Sequence, residues 1–402
     1  MQKDKLVPDI RFKGFEEEWN NLYLFQLIKY AKSGGTPNTA NVDFWNGNIP
    51  FLTIADLKNK TYISQTAKSI TQLGLHSSSA WIVPSGALVL SIYATIGKSA
   101  ILSCDMATSQ AFISILTNND SASFLHRIFE RMDLNGAWSS LQSTGTQSNL
   151  NANIIKNLVI KYPKSKSEID IISNLFENID DLISMHELKL EKLQTIKQSL
   201  LNKMFASFDQ KMPEIRFKGF EENFEVIRLN EIAEYKNGKG HEKFVLEKGE
   251  YILVNSKFIS SNASQCKHTN INISPLFKDD IVMVLSDIPG GKALAKTFLI
   301  DNDNKYALNQ RICALTSKST SPIYLNIILN RNSQLLVLDD HVNQTNINRQ
   351  QVMDLLLLIP SYPEQQKIGQ FFSSLDSLIH YQEQKLEKLN NMKQALLEKM
   401  FC

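Results

Sequence analysis

The chain says the same thing twice. Pro8-Asp9-Ile10-Arg11-Phe12-Lys13-Gly14-Phe15-Glu16-Glu17 returns as Pro213-Glu214-Ile215-Arg216-Phe217-Lys218-Gly219-Phe220-Glu221-Glu222. A second phrase, Leu190-Glu191-Lys192-Leu193 through Leu200-Leu201-Asn202-Lys203-Met204-Phe205, returns as Leu386-Glu387-Lys388-Leu389 through Leu396-Leu397-Glu398-Lys399-Met400-Phe401. The period is close to half the chain, far longer than a solenoid repeat. Residues 20–160 and 225–350, between the phrases, are much less alike. Two matched scaffolds hold two divergent globular parts.

Residues 168–205 contain no Gly and no Pro. Apolar residues recur there at three- and four-residue steps: Ile172, Leu175, Ile179, Leu182, Leu190, Leu193, Leu200 and Met204. His186 and Lys197 interrupt the track. The pattern predicts a long amphipathic helix with a heptad-like seam. Acids crowd its first half and lysines its second, which suits the helix dipole. At about 1.5 Å per residue it spans roughly 57 Å. A second such helix opens at Pro363-Glu364, with Ile368, Phe371, Leu375, Leu378, Leu386, Leu389, Leu396 and Met400 as its seam.

The globular parts read as mixed strand and helix. Strands are predicted at 49–54, 111–116, 251–254, 281–285 and 311–315, and a helix at 121–132. Residues 81–83 and 87–92 flank Pro84-Ser85-Gly86 as a hairpin would. The expected class is α+β. Two similar domains, 1–166 and 213–362, alternate with helical segments at 167–212 and 363–402. Weaker echoes link the two parts: Ser91 before Gly97-Lys98 and Ser286 before Gly291-Lys292, Ser109-Gln110 and Asn309-Gln310, Gln147 to Asn151 and Gln344 to Asn348.

Composition narrows the class mainly by exclusion. A net charge of +2 neither demands nor excludes nucleic acid, because a basic face can hide in a balanced total. Cys104, Cys266, Cys313 and Cys402 lie far apart, so reduced thiols in a cytoplasm are expected rather than a zinc site or a disulfide framework. No apolar signal core follows Met1, and no apolar run is long enough for a membrane span. Catalytic motifs fail on inspection. Gly97-Lys98-Ser99 has Ile92 where a phosphate-binding loop needs glycine, and Gly290-Gly291-Lys292 ends in Ala293. The seven histidines show no metal-binding spacing, and Asp279-Asp280 and Asp339-Asp340 read as solvated turns.

Two helices with narrow leucine seams bury them against each other. Antiparallel pairing would push the two globules to opposite ends of a rod. A separation of tens of Å suits two modules meeting one face of a DNA duplex, whose helical turn is about 34 Å. Because the globules differ, the expected target is bipartite and asymmetric, with an unread spacer. The competing reading is a coiled-coil adaptor with two protein-binding globular domains.

The chain resembles, over essentially its whole length, the specificity subunit of type I restriction–modification enzymes. The residues behind the resemblance are Ser33 to Pro37, Phe44 to Leu52, Asp56-Leu57, Ser91 to Lys98, Ser109 to Phe112, and Tyr362 to Ile368 leading into Leu375 to Ile379. The second globule departs from the pattern, with Lys236 to Gly240 where the first has Ser33 to Pro37. The resemblance implies a non-catalytic subunit with two target-recognition domains and two helical spacers in an antiparallel coiled coil. It implies binding to double-stranded DNA and to two methyltransferase subunits that use S-adenosylmethionine to methylate adenine. Motor–nuclease subunits using ATP and Mg would join for cleavage in host defence. No cofactor is expected on this chain, and it lacks the Asn-Pro-Pro-aromatic loop of such methyltransferases.

Base readout needs Arg or Lys for guanine and Asn or Gln for adenine, and phosphate contact needs Lys, Arg, Ser or Thr. The DNA-binding candidates are therefore polar residues in loops at equivalent places. They are Thr36, Tyr93, Thr95, Lys98, Thr144, Thr146 and Gln147 in the first half. In the second they are Lys236, Lys239, Asp287, Lys292, Asn343 and Gln344. Gln110 and Gln310 read as structural, and Trp45 and Trp81 as core.

Overall fold

The structure, a computed structural model, describes residues 6–57, 60–93, 95–118, 121–141, 150 and 152–402. It divides into two compact units. The first is Met1–Leu188 with Glu383–Cys402, and the second is Lys189–Gln382. The two long helices, Lys166–Lys203 and Tyr362–Lys399, each contribute one part to each unit.

In the first unit, a five-stranded sheet runs in the order Ile28–Ser33, Phe112–Thr117, Leu88–Ser91, Ser99–Leu102, Tyr62–Ile63. A four-stranded sheet runs Lys68–Ile70, Trp45–Leu52, Met106–Thr108, Ile82–Val83. The second unit keeps both sheets without one edge strand each. Its larger sheet is Ala233–Asn237, Ile312–Ser317, Ile281–Val284, Thr297–Leu299. Its smaller one is Lys267–Thr269, Tyr251–Val254, Tyr306–Leu308. Strands Leu88–Ser91 and Ile281–Val284 are buried along their whole length, which explains their unbroken apolar runs. The hairpin expected around Pro84-Ser85-Gly86 does not form. Ile82–Val83 pairs with Met106–Thr108 in one sheet, while Leu88–Ser91 lies in the other. The turn residues are real, but they move the chain between sheets.

Each unit rests on the same frame. Arg11 donates to Glu168 through Nε (2.7 Å) and Nη2 (2.9 Å). Arg216 donates to Glu364 in the same way, at 2.8 and 2.7 Å. Glu168 and Glu364 are buried, and each lies in the first turn of its long helix. The carboxylate bonds hold both guanidiniums above their ordinary pKa against the opposing effect of burial. One residue earlier, Ile10 N–H donates to the Lys399 carbonyl and Ile215 N–H to the Lys203 carbonyl, both at 2.9 Å. The repeated opening phrase thus ties the start of one helix to the end of the other, twice. Gly14 and Gly219, at φ +96° and +91°, turn the phrase where a side chain would be strained.

Within each unit the two helix parts run antiparallel. In the first, Ile169, Ile172 and Phe176 share a core with Leu397, Met400, Phe401 and Trp19. In the second, Met204 packs with Ile368 and Phe372, and the Phe205 ring sits 5.8 Å from that of Phe372. Lys197, which broke the apolar track, forms an ion pair with Asp376. Its repeat equivalent Lys393 pairs with Asp180 at 2.7 Å. The seam is narrower than its sequence suggests, because Leu182 and Leu378 are exposed.

The first unit adds a buried charge network. Arg127 contacts Glu130 (2.7 Å) and Asp180 (2.8 Å), and Lys393 contacts Glu130 (2.8 Å). Burial pushes the neighbouring His126 down to about 4. Burial would raise Glu130, but the charges of protonated His126, Arg127 and Lys393 outweigh it and hold the carboxyl at about 2.

Removing one partner of a buried ion pair leaves an uncompensated charge, at a cost of about 3–5 kcal/mol. Arg11→Ala should lose stability on that scale in denaturant titration, and adding Glu168→Leu should restore most of it. A single variant within about 0.5 kcal/mol of the parent, the scale of an ordinary surface change, would contradict this role.

Candidate nucleic-acid interface

The divergent parts enter and leave the frame through matching necks. Asn20–Tyr23 pairs antiparallel with Val159–Tyr162, and Glu225–Arg228 with Leu356–Ile359. Just beyond, Leu24 N–H donates to the Leu158 carbonyl at 2.8 Å and Leu229 N–H to the Leu355 carbonyl at 2.9 Å. Leu24–Leu158 and Leu229–Leu355 are therefore inserts clipped at both ends, with their loops set by their own sheets.

In the first unit, Thr36 follows the edge strand Ile28–Ser33 and its hydroxyl meets the exposed Gln110 side chain. Tyr93, Thr95 and Lys98 share the loop after Leu88–Ser91. Buried Ser91 pins that loop: its hydroxyl donates to the Thr95 carbonyl and accepts from Lys98 N–H at 3.0 Å. Tyr93, Thr95 and the Lys98 side chain are left exposed. Lys98 reaches Asp133 at 2.8 Å, but both side chains are well exposed. Such a pair is weak enough for the ammonium to turn to a phosphate. Thr144, Thr146 and Gln147 lie outside the described residues.

In the second unit the candidates fall in two groups. Lys236 lies near the end of the strand Ala233–Asn237 and Lys239 just beyond it, where the Lys236 ammonium donates to the Pro275 carbonyl and Lys239 N–H to the Leu308 carbonyl. Asp287, Lys292, Asn343 and Gln344 belong to the other. A short ladder of Ser286–Asp287 with Thr345–Asn346 gathers them, and Gln344 donates to the Ser286 hydroxyl at 2.7 Å. Asp287 accepts from the amides of Ile288 (2.9 Å), Ala293 (2.7 Å) and Leu294 (3.1 Å). Its carboxylate shapes the loop that carries Lys292. Asn343 donates its amide and side chain to Asp340, which closes a turn.

The structure adds to the sequence reading at several positions. Gln110 and Gln310 are exposed at loop tips, and Gln310 donates to Glu242 at 2.5 Å. Glu242 gave no signal in the sequence, lying between Lys239 and Lys243 at the start of the short 3₁₀ turn Glu242–Phe244. Trp45 and Trp81 pack against core clusters as expected but are only half-buried, with Lys68 and Lys32 over their rings at 5.7 and 5.8 Å. Asp280, expected in a solvated turn, is buried and accepts from Phe277 N–H at 2.9 Å and the Thr316 hydroxyl at 2.5 Å. Among the described residues no cluster of His, Cys, Asp or Glu could hold a metal ion, and no helix is long and apolar enough to cross a membrane.

A repeated α+β frame with two divergent, loop-bearing inserts defines a protein of paired recognition modules. Comparison with known proteins gives the family. The family model of the type I restriction modification DNA specificity domain matches residues 16–195 and again 221–391, and the chain belongs to that family. It is 29% identical over 220 residues to the type I restriction enzyme MjaIX specificity subunit of Methanocaldococcus jannaschii, covering 52% of this chain and 51% of that one. Against the HindI specificity subunit of Haemophilus influenzae it is 27% identical, over 42% of this chain and 38% of the other. The chain thus spans about half of the first of these two relatives and less of the second. The MjaVIII specificity subunit of M. jannaschii aligns at 23% identity over 95% of this chain and 91% of its own. The fold matches the crystal structure of the type I restriction–modification S subunit from M. genitalium with a TM-score of 0.67 at 13% identity, covering 98% and 99% of the two chains. A chain from a type I restriction–modification system structure matches with a TM-score of 0.54 at 14% identity, covering 97% and 99%.

The Asp287 carboxylate makes a local prediction. Asp287→Ala should lower hydrogen-exchange protection at Ala293 and Leu294, while global stability falls by only about 1–3 kcal/mol. Unchanged protection at both amides would contradict the loop-shaping role.

Proposed function

We propose that this chain is the sequence-specific DNA-binding subunit of a type I restriction–modification complex and performs no catalysis itself. The observation behind this reading is the pair of divergent inserts clipped onto one repeated frame at equivalent necks. Residues 1–166 and 213–362 act as the two target-recognition domains, and 167–212 and 363–402 as spacer segments. Each domain reads one half of an asymmetric bipartite site. Thr36, Tyr93, Thr95, Lys98, Thr144, Thr146 and Gln147 serve the first half-site. Lys236, Lys239, Lys292, Asn343 and Gln344 serve the second, with Asp287 holding its loop.

The frame offers a dock that is itself duplicated. Leu182 and Leu378 are exposed at 43% and 40%, Met185 and Tyr381 at 53% and 50%, and Ile196 and Met392 at 48% and 43%. These pairs are equivalent in the repeat, so each unit presents the same apolar set. Matched exposure on a solvated helix suits two copies of one partner, here two methyltransferase subunits bearing S-adenosylmethionine. Motor–nuclease subunits with ATP and Mg complete the restriction complex, in the cytoplasm.

Methylome sequencing of a host with and without the gene tests the reading. One split motif with methylated adenine should disappear in the deletion, and no loss of any split motif would contradict it. The assembled complex should also bind its site more weakly as salt rises. Salt-indifferent binding would favour the adaptor instead.

A further inference from the structure

We infer that the Glu242–Gln310 pair makes the second domain select a base that presents an amino group in the major groove, adenine or cytosine, at one position of its half-site. The inference rests on the DNA reading proposed above and deepens it for one loop.

The two domains place the same turn against the same strand end. Gly34 N–H donates to the Phe112 carbonyl and Gly238 N–H to the Ile312 carbonyl, at 3.1 and 3.0 Å. Gly35 N–H donates to the Thr108 carbonyl and Lys239 N–H to the Leu308 carbonyl, at 3.0 and 3.2 Å. This register makes Thr36 equivalent to Gly240 and Gln110 equivalent to Gln310. In the first domain the Thr36 hydroxyl meets the Gln110 carboxamide. In the second, Gly240 has no side chain to offer. A Cβ there would come within 2.8 Å of Glu242 Oε2. The glycine leaves space, and Glu242 reaches through to take Gln310 as its donor, at 2.5 Å.

The pair stands on a rigid base. His241 is fully buried, and its N–H donates to Asn309 Oδ1 at 3.1 Å. Its Nδ1 lies 2.7 Å from the Lys239 carbonyl, which only accepts, so Nδ1 bears the proton. The Asn309 side chain thus ties the backbone at His241 to its own strand end. The chain neighbours of these two residues, Glu242 and Gln310, are exposed. Side chains fixed before binding lose less freedom when a partner arrives.

The chemistry of the carboxylate then decides the base. Glu242 accepts only, and Gln310 occupies part of that capacity. In the major groove cytosine N4 and adenine N6 are donors, while guanine O6 and thymine O4 are acceptors that a carboxylate repels. A carboxylate also gains nothing from phosphate, so this strand end and the turn after it take their affinity from Lys236 and Lys239 and their selectivity from Glu242. The Thr36 hydroxyl both donates and accepts, and it imposes no such choice on Gln110.

The test compares methylomes of the full chain with its methyltransferase partner and of the same complex bearing Glu242→Gln. A carboxamide donates as well as accepts. One adenine or cytosine position in one half-site should therefore relax to admit guanine or thymine, with discrimination falling about ten-fold or more, while the other half-site stays unchanged. Gln310→Ala should blur the same position by freeing Glu242. An unaltered motif in both variants overturns the assignment, as does a change in the other half-site. If Glu242→Gln abolishes all methylation, an unaltered motif with Gln310→Ala alone still overturns it. A wild-type complex that methylates no bipartite motif overturns the DNA reading itself, and this assignment with it.

Discussion

A buried guanidinium–carboxylate fork, made once in each unit, is the contact on which the rest depends. Arg11 with Glu168 and Arg216 with Glu364 join the start of each repeat to the first turn of a long helix. A buried carboxylate without that partner would lose its charge compensation, and at Glu168 the further donor is the neutral Trp19 indole N–H, at 3.3 Å. The neighbouring Ile10 and Ile215 amides bind the last turns of the opposite helices. Once both ends are held, the antiparallel pairing in each unit follows, and with it the seating of Met204 and of Met400-Phe401.

This frame separates conservation of shape from freedom of recognition. The necks close with the same ladder and the same backbone bond, so each insert enters and leaves the frame through matching contacts. Beyond the neck the sheets share an order, but the loop contents differ. Thr36 on Gln110 becomes Glu242 on Gln310 through the loss of one side chain at Gly240. Ser91 closes its own loop through the Thr95 carbonyl and the Lys98 amide, and Ser286 is held by Gln344 from another segment. The charge network around Arg127 belongs to the first unit, while the Lys197–Asp376 pair of the second retains its repeated element.

The frame was legible in the sequence because it is written twice and obeys periodic rules. Helix length, the heptad seam and the acidic-to-basic gradient follow from local spacing. The latch was visible only as a repeated Arg, since its partner lies more than a hundred residues away. The sheet switch at Pro84-Ser85-Gly86 was not legible, because turn residues indicate a reversal without naming the strand that follows. Glu242 was missed for a related reason. Its role depends on space left by Gly240 and on a glutamine brought in by another strand. Such a site is set by packing across the chain, which no local pattern encodes.

In the proposed function each insert reads its half-site independently of the other. This independence is tested by replacing Leu24–Leu158 with a second copy of Leu229–Leu355 in the full chain, which keeps both necks intact. Methylome sequencing of the resulting complex should return a symmetric motif built from two copies of the second half-site. Retention of the original asymmetric motif, or of either first-half base, would contradict the account.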